Sequence, residues 1–130
     1  MEFKKIQLNG FKSFAEKTNF LIEHGLTGIV GPNGCGKSNI VESLRWVMGE
    51  TSAKSMRGSG MEDVIFSGTS NRPAKNISEV SIQIENPDKD GPMQYNELDE
   101  ITVTRRIERD KYKHLLIVQD TRGKSAVTTL

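Results

Sequence analysis

The sequence is poor in cysteine and in long apolar runs, and each of these scarcities excludes a class of protein. Its single cysteine, Cys35, cannot form a disulfide within the chain, which excludes a disulfide-stapled secreted fold and fits a reducing cytosol. No apolar stretch approaches the roughly 20 residues that span a bilayer. The first ten residues alternate charged and apolar side chains like a strand and unlike a signal peptide. We therefore expect a soluble cytoplasmic protein without a membrane partner.

The chain has little net charge, but its charged residues are unevenly distributed. The formal net charge is +1, so it does not by itself predict nucleic-acid binding. The segment Asn86–Glu100 holds one lysine and five acidic residues, whereas Ile101–Leu130 holds seven basic and three acidic residues. One interpretation is a solvated acidic loop beside a basic strand edge. The other is contact between the basic segment and nucleic acid.

Hydrophobic patterns predict an α/β fold with a strong antiparallel β component. Strands are expected in the stretches MEFKKIQLNGF, KTNFLIEHG, LTGIV, VIFSG, ISEVSIQIEN, EITVTRRIER and YKHLLIV, the last of these being the final strand. In ISEVSIQIEN we assign Ile77, Val80, Ile82 and Ile84 to one face. Helical spacing of apolar residues predicts one helix after the glycine-rich stretch, with its apolar positions at Ile40, Val41, Leu44, Val47 and Met48. Gly49 then suits the left-handed residue that ends a helix.

The stretch GPNGCGKS, residues 31–38, matches the phosphate-binding pattern G-x-x-x-x-G-K-[ST]. Its glycines let the backbone approach a ligand closely, and its N–H groups together with the following helix N-terminus form a cradle for anions. Lys37 is expected to reach the β- and γ-phosphates of a nucleotide, and Ser38 to offer its hydroxyl to Mg²⁺. An apolar strand before the pattern and a helix after it are the context that the pattern requires. The predicted ligands are therefore ATP and Mg²⁺.

The remaining residues of this loop have narrower expected roles. The predicted ATP-binding residues are Gly31, Pro32, Asn33, Gly34, Cys35, Gly36, Lys37, Ser38 and Asn39. Asn33 and Asn39 flank the turn and are candidates for orienting it. Cys35 is interpreted as a small filler, because its neighbours contribute backbone and nothing nearby activates a thiol; a nucleophilic role is the less favoured alternative.

Several stretches together resemble one family of ATPases. GFKSFAEKT, GIVGPNGCGKSNIVESLRWVMGE, SAKSMRG, MEDVIFSGT and EITVTRRIERD occur in this order. Over residues 1 to about 110 the chain resembles the N-terminal head segment of the structural maintenance of chromosomes (SMC) family, in its bacterial condensin-like form. The resemblance implies a P-loop NTPase fold of the ABC-ATPase head type, of which this chain would be the N-terminal lobe and an incomplete domain.

The resemblance also implies a mechanism and partners. In the family two heads enclose ATP between them, and hydrolysis drives DNA organisation and chromosome segregation. Implied partners are the C-terminal half of the head, a second copy in a homodimer, a kleisin-type subunit and DNA bound without sequence preference; the implied location is the nucleoid. Lys12 and Ser13 match positions that contact nucleotide in relatives, with a tight charged turn as the alternative. Arg57 matches the family's arginine-loop residue, which links nucleotide state to head engagement or DNA, with a solvated loop arginine as the alternative.

The sequence departs from the family pattern in two respects. Residues 111–130 differ from it, through divergence or a shifted reading frame, and the second-half acid and base, the signature motif, the coiled coil and the hinge are not found in these 130 residues. We therefore expect no catalytic residue in this segment and no ATP turnover by the chain alone. The alternative functions are a non-enzymatic remnant that at most binds nucleotide, and a head segment of a related DNA-repair ATPase. His24 and His114 lack ligand-spaced partners and are predicted to be surface residues.

Overall fold

The computed structural model describes residues 2–23, 25, 28, 36–49, 52, 60–90, 97–109, 113–120 and 125–130. In this part of the chain six strands form a single antiparallel sheet, on which one α-helix packs. The elements in chain order are β1 (Glu2–Asn9), β2 (Thr18–Leu21), α1 (Lys37–Val47), β3 (Ile77–Glu85), β4 (Glu100–Glu108), β5 (Lys113–Asp120) and β6 (Ser125–Thr129). The order across the sheet is β2-β1-β3-β4-β5-β6. The predicted antiparallel β component and single helix are confirmed.

Period-two alternation gives the sheet one buried face. In β3 the buried positions are Ser78, Val80, Ile82 and Ile84, and the residues between them are partly exposed. Ile77 was assigned to the same face, and that assignment is wrong. It lies one residue before Ser78, so its side chain points to the opposite face, where it is 39% exposed.

Two expectations about short strands differ from the structure. The stretch predicted as the strand VIFSG begins instead in a 3-10 helix, Met61–Val64, and only Ile65 makes an isolated bridge, to Phe11. The helix forms because Asp63 accepts a hydrogen bond from the Gly60 N–H at 3.1 Å and so caps the turn. The predicted strand LTGIV, residues 26–30, lies outside the described residues apart from Gly28.

The prediction that β5 is the final strand is also wrong. A further strand, β6, pairs with β5 from Leu115↔Thr129 to Gln119↔Ser125. All five of its residues are exposed, so no face of it is apolar enough to give a period-two signal. Backbone pairing at the sheet edge, and not burial of side chains, makes this segment a strand.

The helix α1 was predicted from the correct segment but with part of its buried face misassigned. Val41 and Met48 are 50% and 67% exposed, whereas Glu42, Ser43 and Trp46 are buried with Ile40 and Val47. Gly49 follows the helix at φ 119°, which confirms the predicted left-handed ending. The core beneath α1 contains Ile6, Leu8, Phe11, Trp46, Val47, Val64, Ile65, Val80, Ile82, Ile84 and Ile107. None of the described helices has the length and apolar content needed to cross a bilayer.

The other face of the sheet is polar and cross-linked by ion pairs. Lys4 contacts both Glu85 and Glu100 at 3.3 Å, and these carboxylates raise the pKa of Lys4, with Glu100 contributing most. In the basic segment, Arg106 contacts Glu79 at 3.5 Å and Glu108 at 3.1 Å. Glu100 of the acidic segment and Arg106 of the basic segment therefore both form ion pairs within the sheet. Each pair is partly exposed, so its contribution to stability is small.

Candidate nucleotide-binding site

The N-terminus of α1 has the geometry of an anion site. Gly36 precedes the helix with φ 85°, a conformation that favours glycine, and Ile40 N–H donates the first intrahelical bond, to the Gly36 carbonyl at 3.1 Å. Gly36, as the N-cap residue, has no side chain with which to cap this end, and the first turn contains no acidic residue. The positive end of the helix dipole is therefore not compensated by a carboxylate of that turn, which suits a bound phosphate. Lys37 and Ser38 both lie in this first turn.

A tight turn after β1 contacts this helix end. In the stretch GFKSF, Phe14 N–H donates to the Phe11 carbonyl at 2.8 Å, and Lys12 N–H donates to the Val64 carbonyl at 2.7 Å. Lys12 has φ 48°, in the left-handed region that a lysine rarely occupies. Gly10 begins the turn, and a Cβ added there would lie 2.4 Å from the Ile77 carbonyl oxygen. The GFKSF turn, residues 10–14, is thus fixed by backbone contacts to two other segments.

Side chains of the GFKSF turn reach α1 at two points. The Lys12 ammonium contacts the Glu42 carboxylate at 2.5 Å, and the two side chains are 13% and 9% exposed. One residue further along, the Ser13 hydroxyl accepts a hydrogen bond from the Asn39 amide at 2.8 Å. Asn39 and Glu42 are three residues apart, a spacing that puts them on one side of the helix.

Gly36 completes the contact between turn and helix. A Cβ at this position would approach the Phe14 ring to 3.2 Å and the Ser13 hydroxyl to 3.4 Å. Phe14 is itself held by an edge-to-face contact with Phe20 of β2, with ring centroids 5.8 Å apart. Gly36, the residue immediately before the helix, therefore packs directly on the GFKSF turn.

The C-terminal end of α1 rests on a second cluster, formed by Trp46, Arg105 and His114. Arg105 lies on the buried face of β4, 1% exposed, and donates to the Trp46 carbonyl at 2.5 Å. Its guanidinium stands 4.7 Å from the Trp46 ring centroid, and the His114 ring stacks on the same indole at 5.9 Å. A cation at a helix C-terminus is favoured by the helix dipole, which explains an arginine on an otherwise apolar strand face.

His114 was predicted to be a surface residue, and the structure corrects this. Its ring is only partly exposed, and its Nε2 accepts a hydrogen bond from Arg105 Nε at 2.7 Å. Burial, assisted by the Arg105 charge, lowers the pKa of His114 from 6.5 to about 4. The neutral imidazole is therefore the form that supports Arg105. His24 lies outside the described residues.

This lowered pKa predicts acid sensitivity of the fold. Because the unfolded chain binds the His114 proton below pH 6.5 and the folded chain only below about 4, the free energy of unfolding should fall as the pH drops through that window. Urea midpoints measured between pH 7 and pH 4 check this. The matched variant is His114→Gln, whose amide oxygen can still accept from Arg105 but cannot titrate. Its midpoint should change less over the same range, and identical profiles for the two chains would contradict the prediction.

The structure describes only part of the predicted site. It brings Lys12 and Ser13 from the GFKSF turn against the helix start that carries Gly36, Lys37, Ser38 and Asn39. The residues Gly31, Pro32, Asn33, Gly34, Cys35 and Arg57 lie outside the described residues. Sequence reasoning missed Glu42. A usable signal was its spacing: Asn39 and Glu42 are three residues apart on one side of the helix, so the neighbouring residues Lys12 and Ser13 can contact both. Sequence reasoning also missed Arg105, whose position on the apolar face of β4 was a usable signal.

The chemistry of these residues fits a nucleotide phosphate with Mg²⁺. Lys37 supplies a cation, the first turn of α1 supplies N–H groups at the positive end of the helix, and Ser38 is exposed with a hydroxyl oxygen of the kind that Mg²⁺ binds. An antiparallel sheet carrying such a helix, entered through a phosphate-loop sequence, is the N-terminal lobe of an ABC-type ATPase head.

Comparison with known proteins gives the family. The chain matches the model of the RecF/RecN/SMC N-terminal domain over residues 2–130, and it belongs to this family. It is 56% identical over 110 residues to the chromosome partition protein Smc of Cereibacter sphaeroides, covering 85% of this chain and 10% of that protein. The chain thus spans about a tenth of the length of the curated relatives it matches.

Solved structures agree with this assignment. A structure from work on ATP-driven dimerization and DNA-stimulated activation of SMC ATPases superposes with a TM-score of 0.85 at 36% identity, covering 97% of this chain and 72% of that one. A second, of an Smc head bound to the C-terminal winged-helix domain of ScpA, gives 0.85 and 36%, covering 97% and 37%. The chain is therefore the N-terminal segment of an SMC head, as its motifs predicted.

Proposed function

We propose that this chain is the ATP-binding half of an SMC ATPase head that acts in ATP-driven DNA organisation and chromosome segregation. The observation that carries the proposal is the start of α1, where a left-handed Gly36 leads into an uncapped first turn containing Lys37 and Ser38. A helix start of this kind, directly after a glycine-rich loop, is suited to phosphate and poorly suited to most other ligands.

Each residue of the loop has a proposed role in holding ATP. The backbone N–H groups of residues 31–36, Pro32 excepted, are proposed to bind phosphate oxygens, with Lys37 neutralising the β- and γ-phosphates and Ser38 binding Mg²⁺. Mg²⁺, when bound, neutralises phosphate charge and so assists transfer of the terminal phosphoryl group. Asn39, in the same first turn of α1, donates a hydrogen bond to the Ser13 hydroxyl and so joins this turn of the helix to the GFKSF turn. The acid and base for hydrolysis are proposed to come from the C-terminal half of the head.

The exposed apolar surface near α1 supports a partner of that kind. Val41 and Met48 are 50% and 67% exposed on the helix. Beside its C-terminal end lies a groove of about 490 Å³, lined mainly by apolar side chains of the sheet and of the helix end. Surfaces of this composition are costly to leave in water and mark contact sites. The C-terminal half of the head is the proposed occupant.

The wider assembly is proposed from the family. One neighbouring head was solved with the winged-helix domain of ScpA, which supports a kleisin-type partner, and another concerns ATP-driven dimerization and DNA stimulation, which supports a homodimer on DNA. The proposed location is the cytoplasm, on the nucleoid. Arg57 is proposed to couple nucleotide state to head engagement or DNA, and the DNA-stimulated hydrolysis rate of an Arg57→Ala variant of a complete head is the measurement that checks it.

The proposed function is tested by separating binding from turnover. We expect the chain to bind ATP weakly in the presence of Mg²⁺, because the phosphate loop is complete, and to release no phosphate catalytically, because these 130 residues contain no matched acid and base. Calorimetric titration measures the first and a phosphate-release assay the second. Sustained turnover by the pure chain would refute the division of labour between the two halves.

A further inference from the structure

The ion pair between Lys12 and Glu42 gives a role to both residues. The resemblance predicts that Lys12 contacts nucleotide, and in the structure its ammonium lies 2.5 Å from Glu42 Oε2, with both side chains largely shielded from water. Separating such a pair without a substitute partner is unfavourable, because it leaves a charge buried and uncompensated. An approaching phosphate would therefore have to compete with an established contact for Lys12.

The backbone of the GFKSF turn favours the same pairing. Lys12 holds a left-handed φ of 48°, and its N–H is engaged by the Val64 carbonyl. A turn that needs this conformation is normally served by glycine or asparagine. A lysine here gains through its side chain what it loses in backbone energy, and a contact that the structure provides for that side chain is the Glu42 carboxylate.

The Lys12–Glu42 pair also affects how Ser13 and Phe14 contact the start of α1. With Lys12 fixed on Glu42, Ser13 reaches Asn39 at 2.8 Å and Phe14 packs on Gly36. The Lys12–Glu42 ion pair on the second turn of α1 and the Asn39–Ser13 hydrogen bond on the first turn join the GFKSF turn to the helix at two points, which we call the clip. Gly36, Lys37 and Ser38 lie at the end of the helix that the clip holds.

We propose that Glu42 is a positioning residue, which holds Lys12 and through it sets Ser13 and Phe14 against the phosphate-binding start of α1. Lys12 then contributes to ATP affinity through this placement and not as a phosphate ligand. The inference rests on the proposed function in one respect, that the start of α1 binds ATP.

The test compares four variants and one control by their affinity for ATP with Mg²⁺. Glu42→Gln and Lys12→Met should each weaken binding about tenfold, and the double variant should be no weaker than either single one, because both remove the same clip. The exchanged pair, Lys12→Glu with Glu42→Lys, should recover most of the affinity. Lys17→Met is the matched control: it removes an exposed cation close to the same turn and should change affinity little.

A second measurement reports on the turn without nucleotide. Hydrogen exchange at the Lys12 amide, which donates to Val64, should accelerate in Glu42→Gln and return towards the wild-type rate in the exchanged pair. Should Glu42→Gln fail to fold, the exchanged pair still decides the matter: it keeps an ion pair and should keep binding, whereas a glutamate could not replace a direct phosphate ligand at position 12.

Three outcomes would overturn the inference. If Glu42→Gln binds ATP as tightly as wild type or more tightly while Lys12→Met loses affinity, Lys12 is a direct phosphate ligand. If both variants melt earlier but bind ATP unchanged, the pair has a structural role alone. If the wild-type chain binds no ATP while its Lys12 amide stays protected, the proposed function fails, and the nucleotide part of this inference fails with it.

Discussion

Lys37→Ala should reduce ATP binding by at least about tenfold, and by up to about 100-fold, without loss of the fold. A hydrogen bond to a charged group contributes about 1.5–3 kcal/mol, and each 1.4 kcal/mol is about tenfold in affinity. Lys37 is the first residue of α1, where a cation is unfavourable towards the helix dipole and alanine is a better helix former. The variant should therefore melt at the same temperature as wild type or slightly higher.

Weaker ATP binding together with an unchanged melting temperature would distinguish loss of a ligand contact from loss of the fold. Calorimetric titration with ATP and Mg²⁺, paired with a thermal melt of the same sample, measures both quantities. Lys17→Ala serves as the control for general attraction between ATP and a cationic surface. Equal ATP affinity in Lys37→Ala and wild type would remove the phosphate loop from the proposed function.

The largest loss of stability is expected from Trp46→Ala. The indole is fully buried, contacts the Phe11 ring at 5.6 Å between centroids, and donates its N–H to the Met61 sulfur at 3.2 Å. It is also the surface on which Arg105 and His114 stack. Truncating a buried tryptophan costs about 3–5 kcal/mol, a large share of the roughly 5–15 kcal/mol that keeps a domain folded.

Urea unfolding followed by circular dichroism checks this prediction. Fluorescence is unsuitable, because Trp46 is the single tryptophan of the chain. Trp46→Phe is the matched variant: it keeps an aromatic surface for Arg105 and Phe11 and should lose much less. A Trp46→Ala chain that is unfolded before urea is added meets the expectation, whereas a loss below about 1 kcal/mol would show that the cluster is peripheral to the core.

Local periodicity was sufficient to predict the helix and most strands, and it was insufficient where contacts join distant segments. The alternation around Val80 and Ile82 and the spacing from Ile40 to Val47 are properties of one segment each. The pairing of Lys12 with Glu42 joins residues 30 positions apart, so nothing local reveals it. β6 was missed for a similar reason, since its strand character comes from pairing with β5.

Polar residues on buried faces were the other source of error. Binary patterning treats a glutamate or an arginine as a surface residue, so it gave Glu42 and Arg105 no role. Both are buried because each has a partner fixed by the fold: Lys12 for Glu42, and the Trp46 carbonyl for Arg105. The placement of residues 36–39 at a helix start, in contrast, was predictable because the phosphate-binding pattern carries its own structural context.

The two clusters at the ends of α1 have a mechanical consequence. The helix spans 11 residues, about 16 Å at 1.5 Å per residue, and it is tied to the GFKSF turn at one end and to β4 at the other. A helix held at both ends is less free to pivot on the sheet that supports it. A displacement imposed at the phosphate end is therefore expected to reach β4 through the contact between Arg105 and the Trp46 carbonyl.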